Sequence, residues 1–272
     1  VGLCLLIDFY DDPATVPATN LVELINGDGF TGFGNNGSVK QYYFDNSAGL
    51  LLYTNVVTAY IRMVEPKSFY NDTSKSSGLQ GRLLLTDALA ILKASPNYET
   101  EVLPRFDALT VDANGQVIAC NVYFAGPTSG VWSYGLWPHS GSLASAIELS
   151  PGGKKVRRYQ ISNIGTTPNI GTFCHENGHM LCGFPDIYDY DQGEEDSRGG
   201  AGRFCIMDSS GSYNPVQFCA YLKLAAGWAT AVDVTSDSFE AASLSSAGAA
   251  FNRFYRFFRP GVDTEYLLLE NR

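Results

Sequence analysis

His175-Glu176-Asn177-Gly178-His179 holds two of the three histidines in a chain of 272 residues, with a glutamate directly after the first. On an α-helix four residues advance the chain ~6 Å and rotate it only ~40° beyond a full turn. Both imidazoles therefore leave one face, close enough to share a metal ion. Glu176 sits one step around the helix, where its carboxylate reaches a water on that ion. The pattern is H-E-x-x-H, with the two histidines as metal ligands and the glutamate as general base.

The flanking residues mark a helix. Thr167-Pro168 offers a capping hydroxyl and a proline at the first helical position. Ile170, Phe173, Cys174, Leu181 and Cys182 form an apolar stripe, and Gly183 is expected to end the helix in a left-handed conformation. Asp186 follows three residues after that turn, placed to swing back as a third ligand. Three protein ligands leave a fourth tetrahedral position for water, as in catalytic rather than structural zinc sites. Further on, Met207 lies in the glycine-preceded stretch Gly202-Arg203-Phe204-Cys205-Ile206-Met207, a polarizable packing floor for such a site.

HENGHMLCGFPDIYD (175–189), GRFCIM (202–207) and NPVQFCAYLKLAAGW (214–228) together resemble the immune inhibitor A family of secreted zinc peptidases, which belong with the metzincins. The resemblance covers nearly the whole chain. GLCLLIDFYDDPAT (2–15) looks like the family's first strand, and GFTGFGNNGSVKQYYFDNSAGLL (29–51) like its glycine-rich loop and following helix. VYFAG (122–126) and LWPHS (136–140) match its strands before the active helix, and EYLLLENR (265–272) the strand that opens its later β region. The most specific element is H-E-x-G-H…G-x-P-D-x-Y-D with a downstream methionine. One departure is visible. Metzincins place two residues between the second histidine and the glycine, whereas Met180, Leu181 and Cys182 stand there here. Carried over residue by residue, the zinc ligands are His175, His179 and Asp186, the base is Glu176, and Met207 is in the turn. The altered spacing leaves Asp189 and Asp191 open as third ligands, with Glu194 or Glu195 a more distant alternative because they lie in a glycine- and acid-rich loop.

The resemblance implies an α+β, zincin/metzincin-like catalytic domain. Its parts would be a twisted mixed β-sheet with backing helices, the active-site helix, and a smaller lower lobe with the methionine turn. Residues 1–183 are the expected upper lobe, 184–250 the lower lobe, and 251–272 the start of a C-terminal β region. It also implies a secreted, monomeric zinc endopeptidase acting on protein or peptide substrates, with an upstream signal or pro-segment outside these residues. Family members bind substrate as an extended strand along a sheet edge, for which 131–139 is the candidate. His139 is then a candidate for lining the cleft or donating to a substrate carbonyl. Glu176 would take a proton from the attacking water and deliver it to the leaving amine, and Tyr213 is the candidate oxyanion donor. A secreted context further implies one disulfide bracing the helix end (Cys174, Cys182) to the methionine turn region (Cys205, Cys219).

Composition narrows the alternatives. Acidic residues exceed basic ones by 28 − 18 = 10, so there is no basic footprint for nucleic acid. No apolar run reaches membrane-spanning length. The acidic stretch 186–196 suits an oxygen-ligated Ca2+, with Asp189, Asp191, Glu194, Glu195 and Asp196 as candidate ligands. A peptide-binding protein on the same fold, weak or inactive in turnover, is the alternative function. A carbohydrate- or surface-binding module rests only on 13% aromatic residues, which fall mostly in core patterns.

Elsewhere, Gly2–Phe9 reads as a strand, 20–25 and 38–44 as short helices, and 50–60 as strand or hairpin. Arg82–Lys93 carries leucines at helical spacing and should lie across the sheet. Phe106–Val111 and Gln116–Phe124 read as strands joined by a turn at Asp112-Ala113-Asn114-Gly115. A helix is expected from Asn214-Pro215, and 251–258 with 265–269 as an antiparallel pair.

Overall fold

The computed structural model describes residues 1–128, 131–190, 200–209, 211–234 and 252–271. The protein is mixed α+β and divides into two compact units. The first comprises Val1–Gln41, Tyr53–Pro185 and Ser210–Pro215, and the second Tyr42–Leu52, Asp186–Ser209 and Val216–Arg272.

The first unit is built on five strands: β1 (Gly2–Phe9), β2 (Asn55–Met63), β3 (Cys120–Phe124), β4 (His139–Glu148) and β5 (Lys155–Asn163). Their order is β2-β1-β3-β5-β4, parallel throughout except for β4, which runs antiparallel to β5 at one edge. Every residue of β1 is buried, as a near-continuous apolar run in a parallel sheet covered on both faces should be. Side chains alternate between the faces. Leu3, Leu5, Ile7 and Phe9 of β1, Val122 and Phe124 of β3 and Ile161 of β5 point to one of them. There they meet Leu84, Leu85, Ala88, Leu89 and Leu92 of the long helix Ser77–Lys93. In chain order this helix is α4, after α1 (Ala18–Asn26), α2 (Val39–Asn46) and α3 (Lys67–Tyr70). The alternate residues of β3, Asn121 and Tyr123, point to the opposite face, which carries α5 (Gly171–Asn177).

Several expectations hold and several need correction. β1 has the limits read from sequence. Ser38 caps α2, its Oγ accepting from the Gln41 N–H, and Gly49 beyond it is left-handed at φ 84°. The turn at 112–115 is present, with Asp112 Oδ1 accepting from the amides of Asn114 and Gln116. α4 starts five residues earlier than Arg82. Gly78 and Gly81 hide its first turns from a propensity reading, and Gly81 is there because a Cβ would meet the His139 ring at 2.7 Å. Phe106–Val111 is not a strand: Leu103–Ala108 forms a 3₁₀ turn with Pro104 at its start, and Phe106 is tucked into the core. The strand expected at 50–60 begins only at Asn55 and runs to Met63.

In the second unit, β6 (Thr230–Val234), β7 (Arg253–Arg259) and β8 (Val262–Leu269) form a sheet in that order, with β7 and β8 antiparallel as expected. Phe218 packs against Tyr42, Tyr43 and Trp228. The helix expected from Asn214-Pro215 is the shorter α6 (Ala220–Ala225): the chain from 214 to 218 is not helical and Cys219 itself is extended. The Phe218 N–H is spent on the Asn46 side chain rather than on a helical carbonyl.

Candidate metal centre

α5 begins at Gly171, not at Thr167-Pro168. Two asparagine side chains close its N-terminus instead: the local Asn169, whose Oδ1 accepts from the Gly171 N–H at 3.1 Å, and the distant Asn35. Asn35, buried in the glycine-rich loop, accepts from the Ile170 N–H through Oδ1 at 3.0 Å and donates from Nδ2 to the Pro168 carbonyl at 3.0 Å. Thr167 contributes only its carbonyl, to the Tyr213 hydroxyl at 3.4 Å. After Asn177 the helix widens into a single π-helical turn, Gly178–Cys182. Widened turns of this kind concentrate at functional sites. The change of phase buries Met180 where the sequence stripe placed Leu181 and Cys182, both of which are half-buried.

Gly183 then ends the segment in the left-handed conformation, φ 67° and ψ 22°, its N–H returning to the His179 carbonyl. A Cβ at Gly183 would meet nothing within 4 Å. Gly183→Ala therefore tests backbone strain alone, which costs roughly 1–2 kcal/mol for an L-residue in this region. For a domain of this size the melting temperature is expected to drop by about 2–8 °C. Calorimetry checks this, and a shift below one degree would mean that the turn relaxes to negative φ.

His175, Glu176 and His179 converge as the helical spacing requires. One ligand atom from each lies within 4.8 Å of the others, and His175 and Glu176 are buried. The two Nε2 atoms are 3.2 Å apart and the rings are nearly perpendicular, at 84°. Two nitrogens bound to one tetrahedral zinc at ~2.05 Å would be separated by ~3.3 Å. The His179 ring is oriented by its other nitrogen, since Nδ1 lies 2.6 Å from the Phe184 carbonyl oxygen. A carbonyl can only accept, so Nδ1 carries the proton and Nε2 keeps its lone pair for a metal. The donor set thus fits a zinc ion.

The remaining candidates fall as follows. Asp186 lies in the second unit, where the hydroxyls of Tyr188 and Tyr190 both donate to its Oδ2 at 2.9 Å. Met207 is fully buried there, and its carbonyl accepts from the Ile187 N–H at 3.1 Å. Cys205 starts the same turn, accepting at its carbonyl from the amides of Asp208 and Ser209. Tyr213 is exposed in the first unit. Asp189 is half-buried, whereas Asp191, Glu194, Glu195 and Asp196 lie outside the described residues.

His139 opens β4 and is mostly enclosed, with Nδ1 at 2.7 Å from the Trp137 carbonyl oxygen and Nε2 at 3.1 Å from the Tyr159 hydroxyl. Burial lowers its pKa, against a smaller opposing effect from the Trp137 carbonyl. The edge strand is β4 itself, not 131–139, which turns at Val131–Tyr134 with Ser133 at φ 63°. No disulfide joins any of the six cysteines. Burial raises the Cys174 thiol well above its usual range and that of Cys182 to about 12. Cys205 Sγ instead accepts from the Cys219 N–H at 3.3 Å.

Sequence reading missed the polar side chains that hold α5: Asn35 at its start and, at its end, Asn177 with Asn121 and Tyr53. The available signal was asparagine inside an otherwise apolar strand, in CNVYF, and next to the glutamate of the metal motif. No protein-family model matches the chain, and no curated protein matches it either.

Proposed function

We propose that this protein is a zinc-dependent endopeptidase of metzincin-like architecture, secreted, acting on protein or peptide substrates. The observation that carries this reading is the 3.2 Å approach of two imidazole Nε2 atoms with a buried glutamate between them in sequence. His175 and His179 would hold the ion. Asp186 is kept as the proposed third ligand on the sequence resemblance, with Asp189 and Asp191 as the alternatives; the group that the described residues bring together is His175, Glu176 and His179. Tyr188 and Tyr190, by donating to one oxygen of the Asp186 carboxylate, fix its orientation. Met207, buried in its own unit, keeps the methionine-turn role that the sequence resemblance implies.

A zinc ion held here supplies Lewis acidity, lowering the pKa of a bound water toward ~7 and polarising a scissile carbonyl. Glu176 removes the proton from the attacking water and hands it to the amine that leaves. Its burial keeps bulk water from competing for that proton. β4 stands at an edge of the sheet, along which an extended peptide would align. The sequence candidates for an oxyanion donor and for a calcium site, Tyr213 and the acidic stretch 186–196, remain part of this proposal.

The test is elemental analysis of the purified protein together with casein hydrolysis. Zinc should co-purify, 1,10-phenanthroline should abolish hydrolysis, and added zinc should restore it. Zinc-replete protein that binds peptides but leaves casein intact would select the non-hydrolytic alternative.

A further inference from the structure

We propose that Asn177 is a positioning residue of the metal centre: its side-chain amide locks α5 to the sheet and so sets the rotation at which His175, Glu176 and His179 are presented. The inference rests on the proposed metal site and deepens it.

Asparagine is a poor choice inside a helix, because its amide competes for backbone hydrogen bonds. Here it is fully buried, where an unpartnered amide would cost several kcal/mol. Its hydrogen-bonding groups are instead engaged. Nδ2 donates to Asn121 Oδ1 at 2.8 Å and to the Phe173 carbonyl at 2.9 Å, while Oδ1 accepts from the Tyr53 hydroxyl at 2.9 Å. Asn121, itself fully buried on β3, spreads the connection across the sheet. Its Nδ2 lies 3.1 Å from the Leu3 carbonyl of β1 and 2.8 Å from Asn55 Oδ1 of β2. Its Oδ1 also accepts from Gln160 Nε2 of β5 at 3.0 Å. Three strands thus converge on Asn121 of β3, which passes the connection on to the amide of Asn177.

The geometry explains why this position matters. Successive helical residues are ~100° apart, so Asn177 points ~200° around the axis from His175. Pinning Asn177 to the sheet turns His175 away from it. Phe173, one turn earlier on the same face, packs edge-on against Tyr123 of β3 at 5.2 Å. Two attachments one turn apart remove rotation about the helix axis. The chemistry also suits the place. A salt bridge could have locked the helix equally well, but it would put a formal charge next to Glu176. A network of neutral amides and one phenol holds the helix without altering the field at the ligands.

The experiment compares wild type with Asn177→Ala and Tyr53→Phe, the second removing a single hydroxyl and leaving the shape of the core intact. Circular dichroism first establishes folding. Zinc affinity is measured by chelator competition, ligand geometry by the visible absorption of the cobalt(II)-substituted protein, and kcat and KM with a peptide substrate. Asn177→Ala should weaken zinc binding by ~10–100-fold, as loss of a group that orients a ligand does. It should also alter the cobalt spectrum and lower kcat with KM unchanged. Tyr53→Phe should move the same readouts in the same direction by less. If Asn177→Ala does not fold, Tyr53→Phe decides. Folded variants with wild-type zinc affinity, cobalt spectrum and kcat would overturn the positioning role while leaving the metal centre standing. Failure of wild type itself to bind zinc or cobalt would overturn both.

Discussion

Glu176→Gln is expected to remove hydrolysis of casein almost completely while zinc content stays at the wild-type level. Glutamine has the same shape and fills the same buried position beside His175 and His179. What it lacks is a basic oxygen. If Glu176 moves the proton from water to the leaving amine, a neutral amide at that place can do neither half of the transfer. General acid–base catalysis contributes roughly 10²–10⁴-fold, and kcat should fall by that range. Thermal stability should change little, because the substitution neither opens a cavity nor inserts bulk. The paired measurements are kcat and bound zinc on the same preparation. Casein hydrolysis at the native rate by Glu176→Gln would refute the role given to this carboxylate.

His179→Ala should have a comparably large effect by a different route, through loss of the ion itself. With one imidazole gone, the 3.2 Å pair of Nε2 donors no longer exists, and the Phe184 carbonyl loses the N–H that it accepts. Groups that merely orient metal ligands are worth ~10–100-fold in affinity, so removing a ligand should exceed ~100-fold. Elemental analysis should find zinc absent from the purified variant, and adding zinc at micromolar concentration should not restore hydrolysis. The contrast with Glu176→Gln is the informative part, since one variant keeps its metal without turnover and the other keeps neither. Retention of zinc by His179→Ala would show that the ion sits elsewhere.

The convergence of His175, Glu176 and His179 was legible because it is local. Four residues of helix suffice to bring two imidazoles together, and Gly183 announces the left-handed turn by being glycine. β1 was legible for a similar reason, as an eight-residue run with little polar interruption. The start of α5 was misread because Thr167-Pro168 satisfies every local rule for a helix start. The Ile170 amide is taken by Asn35, 135 residues away, which leaves no mark near the helix, while Asn169 accepts from the Gly171 amide. The inward turn of Met180 depended on a widened helical turn that shifts the phase of a regular stripe. Asn121 and Asn177 were invisible as a pair because a polar residue in a strand and another in a helix acquire meaning only when the two elements pack. The helix expected at Asn214-Pro215 failed because backbone donors that a helix would use, such as the Phe218 N–H, were already taken by a side chain from α2.

α5 is seven residues long, well under the ~12–15 at which isolated helices become marginally stable in water. Its first turn depends on Asn35 and its last on Asn121, contributed from 135 and 56 residues upstream. An unfolded or nascent chain therefore carries both imidazoles without the 3.2 Å approach of their Nε2 atoms. The paired donors of the proposed metal centre exist only once these distant stretches have met, so any hydrolysis that depends on them would wait until folding is finished.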